Sequence, residues 1–254
     1  MQFLTELKYL FIRGLKQSTR PTAALIPSLV MPVFFLVVFS ASLSKVAALP
    51  GFPVSSYLVF YAPVAILQAV FFSSGDAGID MVLDISTGYF DKLLITPIHH
   101  VAIIVGKLLA VALRSAVQAG MVVIVFLLMG GKIVTGVPGL LVILALSGLF
   151  GMAWSGIGMT IALVTKNQRT TQSAFILFFP FTFITTSQLP LSQLSGWYKW
   201  GAILNPVTYV LEAFRSLTST GWNWHVIGWG FATAGLVGLV TISTATRAFN
   251  RIAR

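Results

Sequence analysis

Residues 83–109 read LDISTGYFDKLLITPIHHVAIIVGKLL, the longest run of mixed charge in an otherwise apolar chain. Asp84, Ser86 and Thr87 are helix-capping residue types, and Asp91 sits early enough for its carboxylate to suit a helix dipole. Phe90, Leu93 and Leu94 fall at i, i+3 and i+4 and form a narrow apolar face. Pro97 ends the pattern, because it lacks a donor and pushes Thr96 out of the helical region. The spacing predicts a short amphipathic helix within 84–98, between two hydrophobic spans. Such a helix suits a socket on another protein or the bilayer surface.

The rest of the chain fixes what those flanking stretches are. Of 254 residues, 57% are hydrophobic and only 9% charged, where a soluble domain carries about 25%. The mean hydropathy is +0.92. This is the composition of an all-α integral membrane protein. Cysteine is absent, which excludes a disulfide framework and thiolate or Cys-based metal chemistry. The net charge of +10 does not call for nucleic acid, since the basic residues flank hydrophobic segments, where anionic membrane lipid and topology explain them.

Residues 1–21 do not read as a signal peptide, because Glu6, Lys8, Arg13, Lys16 and Arg20 interrupt them. Phe3, Leu7, Leu10 and Gly14 share one helical face, and Glu6, Tyr9, Arg13, Lys16 and Arg20 another. That is an amphipathic helix for the inner membrane surface, or simple positive flanking of the first span. Six hydrophobic segments follow, each near the ~20 residues that cross hydrocarbon: Thr22–Leu43, Ser55–Val82, Val101–Gly130, Leu140–Val164, Thr171–Leu189 and His225–Ala245. Six spans put both termini on one side. With the N-terminus inside, Lys45, Lys132, Lys199 and Arg215 are outside and the other twelve of sixteen basic residues inside. The positive-inside rule therefore predicts two cytoplasmic termini and a cytoplasmic 84–98 segment.

Some charge falls within the spans. Asp76, Asp80 and Asp84 are spaced by four and share a face, so this ladder of like charges needs cations or water. Arg114 on the antiparallel third span is the expected partner of Asp76, as a switch or as a static clip between helices. Gln118, Trp154, Ser155, Thr182, Thr185, Thr186 and Gln188 either line a pathway or serve interhelical packing. Gly151, Ser155 and Met159 step by four, with Gly156 and Gly158 alongside, which suits close helix approach within the chain or between two copies.

Between the fifth and sixth segments the character changes. Trp197, Tyr198 and Trp200 belong at a headgroup boundary. Asn205 can cap a helix with Pro206 at its first position, and Glu212 and Arg215 can pair at i, i+3. The segment 190–222 fits either two half-helices dipping in from outside or an interfacial loop with one surface helix.

Two motifs carry a resemblance. The run Gly88-Tyr89-Phe90-Asp91-Lys92-Leu93-Leu94-x-Thr96-Pro97, followed by Gly106-Lys107-Leu108-Leu109, resembles the cytoplasmic coupling segment of ABC-2-type exporter permeases. The run Phe179-Pro-Phe-Thr-Phe, a Leu-Pro-Leu step, Gly-Trp197, then Asn205-Pro206-x-x-Tyr209-x-x-Glu212-Ala-x-Arg215 is similar to the re-entrant segment of the same family, in its daunorubicin-resistance branch. The resemblance implies one membrane domain over 1–254 with six spans and extracytoplasmic re-entrant helices. It further implies a coupling helix that docks a separate P-loop ATPase, helped by Arg13 and Lys16, and a second permease copy or a sister permease. ATP and magnesium would be bound by the partner, for this chain holds no G-x-x-x-x-G-K-[ST] loop. The implied activity is export of a hydrophobic or amphipathic compound (drug-like natural product, lipid or glycolipid) across the plasma membrane.

Within that class a lipid-linked polysaccharide exporter is the alternative. A secondary transporter would need ionisable groups near midplane, where only Arg114 qualifies, and a membrane scaffold would leave the Leu93/Leu94 face unpartnered. No nucleophile elbow or zinc-binding helix motif occurs, and the adjacent His99 and His100 point apart.

Overall fold

The computed structural model describes residues 2–19, 25–48, 52, 54, 56–96, 98–173, 176 and 178–252. Among them there are helices and no strands. Four helices are long and apolar enough to cross a membrane: α3 (Tyr57–Ser86), α5 (His100–Leu128), α6 (Gly136–Thr165) and α11 (Trp224–Ile252). At 1.5 Å per residue each is about 43–45 Å long, well beyond the ~30 Å of hydrocarbon, so their ends must project from it. Shorter helices complete the chain: α1 (Gln2–Thr19), α2 (Leu25–Ser42), α4 (Tyr89–Ile95), α7 (Gln168–Ser173), α8 (Phe178–Phe183), α9 (Gly196–Leu204) and α10 (Pro206–Arg215), the last running into a π-helical turn at Ser216–Thr220.

The bundle is built around α3, whose inward residues from Phe60 to Phe71 are almost all fully buried. Small residues set the helix spacing. A Cβ on Gly78 of α3 would lie 2.6 Å from the Gly158 carbonyl oxygen of α6, and one on Gly151 would lie 2.1 Å from Ser115 Oγ of α5. Hydroxyls tie the same layer, with Ser115 donating to Ser73 at 3.1 Å and Gln118 to Ser28 of α2 at 2.9 Å. Because the obstruction at Gly78 is backbone, Gly78→Val is expected to lower the thermal midpoint in detergent by about 5 °C, an overpacking cost of roughly 1–3 kcal/mol. Gly228→Ala, whose Cβ would meet nothing within 4 Å, should leave the midpoint unchanged. A differential scanning measurement of the pair checks this, and equal midpoints would contradict the close α3–α6 packing.

Of the long helices α3, α6 and α11 run one way and α5 the other, so the bundle has two distinct ends. One carries α1, α4, the start of α5 and the ends of α3, α6 and α11. The other carries α9, α10 and the starts of α3, α6 and α11. Phe39 of α2 packs against Tyr61 with ring centroids 4.9 Å apart.

Several expected boundaries move. The second span does not stop at Val82: α3 continues through Ser86, and Asp84, Ser86 and Thr87 do not cap the next helix. The Ser86 and Thr87 hydroxyls donate back to Leu83 O, at 3.1 and 2.8 Å, extending the helix they were expected to interrupt. α4 starts after Gly88, whose φ of +68° makes the corner, and covers Tyr89–Ile95 rather than all of 84–98. Pro97, like Thr22 and Ser55 at the expected starts of two spans, lies outside the described residues. The third span runs as α5 within two residues of its expected bounds, and the fourth and sixth run as α6 and α11, longer at both ends than hydropathy alone marks.

Over 171–189 the described residues do not form one span-length helix. α7 ends at Ser173, α8 covers Phe178–Phe183, and the chain turns from Ile184 to Gln188. Pro180 within α8 and Pro190 beyond it remove backbone donors, and local hydroxyls compete for the ladder. Thr185 Oγ1 donates to Thr182 O at 2.6 Å and accepts from Ser187 N at 3.1 Å. This stretch still runs along the bundle. Thr171 meets Gly78 near one end of α3, Phe178 packs on Phe71, and Thr186 reaches Arg215 near the other.

Candidate functional site

At the α4 end a charged cluster organises three elements. The Asp84 carboxylate, 2% exposed in its residue, accepts two hydrogen bonds from the Arg13 guanidinium of α1, at 2.7 and 3.2 Å. It also accepts one from Gln17 at 3.2 Å and pairs with Lys107 of α5. Gln17 and Lys107 both donate to the Asp80 carbonyl at 3.2 Å. The Arg13 guanidinium carbon lies 3.5 Å from the centroid of the Tyr89 ring, the first residue of α4. Burial works against the Arg13 charge, and the bound Asp84 carboxylate more than offsets it, so the guanidinium pKa stands above its ordinary value.

Local sequence makes this junction possible. Arg13 and Gln17 are one turn apart on α1, and so are Asp80 and Asp84 on α3. Gly14 and Gly106 let α1 lie directly on α5. A Cβ on Gly106 would come within 2.7 Å of Leu10 Cβ, and one on Gly14 within 2.9 Å of Ala110 Cβ. The expected apolar face of α1 therefore meets protein at Leu10 and Gly14. Its first turns reach the chain beyond α4, where the His99 backbone donates to Glu6 at 3.1 Å and its ring nitrogen lies 3.0 Å away. His99 holds the Glu6 carboxyl below its ordinary pKa, first through its side chain and then through its backbone. Lys16 is exposed on α1.

The faces of α4 differ from the simplest reading of its periodicity. Phe90 and Leu93 are buried, at 2% and 8% exposure. They pack with Met81 and Val82 of α3 and with Ala248 and Phe249 of α11, and Leu94 is half-buried. The apolar stripe that looked free for a partner is thus largely used inside the chain. What α4 presents outward is Asp91, Lys92, Thr96 and Ile95, the last 85% exposed. Periodicity identifies an apolar face but not whether its socket is intramolecular.

Further along the bundle, Arg114 donates to the Asp76 carboxylate, with the Arg114 side chain 6% exposed and that of Asp76 37%. Gln118 is buried against Ser28. Trp154 sits edge-on to Phe71, at 4.6 Å, and to Phe181, at 5.2 Å. Thr185 and Thr186 are buried and Gln188 half-buried. The described partners of Gln118, Trp154, Thr185 and Thr186 are other parts of the chain.

The opposite end is organised by α10. Asn205 Oδ1 accepts from Val207 N at 3.0 Å with Pro206 at the first helical position, while its amide donates to Phe181 O and Ile184 O, at 2.8 and 2.7 Å. One side chain thus caps the start of α10 and the end of α8. The Tyr209 hydroxyl donates to Ile203 O at 3.0 Å. Arg215 is buried, pairs with Glu212, donates to Thr186 O at 2.8 Å and lies over the Phe60 ring at 4.3 Å. Trp197 and Trp200 are 74% and 67% exposed.

Asp84 is not the cap its residue type suggests, and Arg13 and Lys107 are the cations that the Asp76/Asp80/Asp84 ladder calls for. Gln17 and Phe249 carry no sequence motif, and the matched four-residue spacing of Arg13/Gln17 and Asp80/Asp84 is the available signal for Gln17.

The comparisons with known proteins agree with this architecture. The sequence pattern described as "ABC-2 type transporter" matches residues 5–218. The chain is 27% identical over 220 residues to the daunorubicin resistance ABC transporter permease protein DrrB1 of Streptomyces coeruleorubidus, covering 86% of this chain and 76% of that one. It is 23% identical over 209 residues to the probable doxorubicin resistance ABC transporter permease protein DrrC of Mycobacterium tuberculosis, covering 82% and 75%. It is also 27% identical over 253 residues to the putative transport permease ycf38 of Pyropia yezoensis, covering 94% and 84%. A match of this extent, over a bundle of membrane-length helices, makes the chain a multi-pass transporter permease, the membrane-spanning subunit and not itself an ATPase: it belongs to the ABC-2 type transporter family.

Proposed function

We propose that the chain is the membrane subunit of a two-component ATP-driven exporter, and that α4 is where a separate ATPase subunit docks. One observation carries this reading. α4 is fixed to its own bundle by Phe90, Leu93 and Tyr89, yet holds Ile95 outward at 85% exposure beside Asp91 and Lys92. An isolated apolar side chain ringed by both signs of charge suits a protein groove better than lipid. Arg13, through Tyr89 and Asp84, makes α1 part of the same rigid unit, with Lys16 on its outer surface. Closure of an ATPase dimer would then move α4 and α1 as one body.

The membrane has six passes in this reading, with α2 and the broken 171–189 stretch as the two beyond the long helices. The α4 end is cytoplasmic, because Lys92, Lys107, Lys166, Arg169, Arg247 and Arg251 gather there. α9 and α10 form the re-entrant element outside. A second permease copy or a sister permease completes the pathway, and the plasma membrane is its location. The cargo is a hydrophobic or amphipathic compound, supported by the drug-resistance names of two relatives.

Purification of the native protein in gentle detergent is expected to recover a P-loop ATPase. Inside-out vesicles carrying the complex are expected to accumulate daunorubicin only when ATP is supplied. Recovery of the intact bundle without any ATPase would defeat the proposal. ATP hydrolysis without drug accumulation would remove this drug from the cargo class.

A further inference from the structure

We propose that α11 is a second mechanical path through the membrane, by which Phe249 carries movement of α4 to α10 at the opposite end. The inference rests on the reading of α4 as the ATPase-docking helix and extends it to a helix that is not contiguous with α4 in sequence. Phe249, three residues before the end of α11, is fully buried. Its ring meets Phe90 of α4 edge-on, with centroids 5.2 Å apart. A displacement of α4 against this closely packed contact must push on α11, since packed interiors yield little to compression.

α11 is built to pass the push along. It is one helix of 29 residues without proline, about 43 Å long. It rides on α6 through small residues: Gly238 faces Ala153, Thr241 donates to Ala153 O at 2.6 Å, and a Cβ on Gly156 would strike Thr241. It is also the least enclosed of the long helices, with 28% of its most apolar stretch buried against 78% for α3. The helices flanking α4 in sequence, α3 and α5, pack against α6 and each other, whereas α11 packs mainly on α6 and α10 and so joins the two ends directly. At its far end a Cβ on Gly230 would lie 2.5 Å from Ala213 Cβ and 3.3 Å from Tyr209 O of α10. Tyr209 and Trp229 add a ring contact at 6.1 Å. α10 carries the Glu212–Arg215 pair that grips Thr186, so a shift of α11 reaches the turn at 184–188.

Phe249 is therefore a positioning residue, and its test separates transmission from folding. The native chain has no cysteine, so nitroxides can be placed at Val137→Cys and Leu204→Cys, exposed positions at the α10 end. In the complex with its ATPase in proteoliposomes, ATP with vanadate is expected to change the distance between the two labels. Phe249→Ala should reduce that change by at least half, with ATP hydrolysis within about twofold of the parent, and Phe249→Leu should restore it. Should the alanine variant fail to assemble, Phe249→Val carries the same test with a smaller cavity. A full distance change in Phe249→Ala, or no change in a parent complex that hydrolyses ATP, overturns the proposal. Failure of any ATPase to bind the parent chain would instead defeat the docking reading on which it rests.

Discussion

Asp84→Asn is expected to lower the thermal midpoint of the purified protein by roughly 10 °C and to cut the folded yield. The Asp84 carboxylate is the common acceptor for Arg13, Lys107 and Gln17. Removing its charge leaves the Lys107 ammonium, 9% exposed in its side chain, with neutral oxygens, the substituted amide and the Asp80 carbonyl, as its acceptors in place of the carboxylate. Breaking a buried pair from one side costs about 3–5 kcal/mol, because the remaining charge is stranded rather than merely unpaired. Arg13 is one-third exposed and recovers part of its loss from water, so the lower half of that range applies. The double variant Asp84→Asn/Lys107→Met removes both charges and is expected to regain much of the loss, a coupling of about 1–3 kcal/mol. Thermal unfolding of the two single variants and the double measures this directly. A midpoint for Asp84→Asn within 2 °C of the parent would mean that the cluster does not hold α1 to α3 and α5.

Ile95→Glu should do the opposite. At 85% exposure Ile95 contributes little to the fold, and surface changes of this kind usually stay within about 0.5 kcal/mol. At an interface centre, placing a carboxylate in an apolar groove costs about 2 kcal/mol or more, roughly a 30-fold loss of affinity. ATPase recovery is therefore expected to collapse with the thermal midpoint unchanged. Leu93→Glu should reverse the pattern, unfolding the α4 end because Leu93 is buried against α3 and α11. Undiminished ATPase capture by Ile95→Glu would remove the outward face of α4 from the docking account.

The two variants mark where sequence reading reached its limit. Hydropathy and charge identified the membrane class and the four long helices, because those signals are local sums over about twenty residues. Asn205 with Pro206 was readable as a helix start for the same reason: a cap is a property of neighbours in sequence. At Asp84 the need for cations was legible but their identity was not, since Arg13 and Lys107 come from elements 71 and 23 residues away, and their approach depends on Gly14 and Gly106 being small. The socket of Phe90 was equally hidden, because Phe249 joins it from the far end of the chain. The 171–189 stretch misled in another way. Its apolar residues match a span, but the described helix α8 ends at Phe183, where the Thr and Ser hydroxyls of 182–187 bond to the local backbone.

Cross-linking from α4 tests the central claim most directly, that one face of this helix is seated in its own bundle and the other is held out for a separate ATPase. In a chain without native cysteine, a photoactivatable maleimide can be attached at Ile95→Cys or at Leu93→Cys alone and irradiated in native membranes. A covalent adduct with a P-loop ATPase from position 95, and none from position 93, is the expected result. An adduct from 93 and not 95, or no ATPase adduct from either in membranes that retain ATP-driven transport, would contradict it.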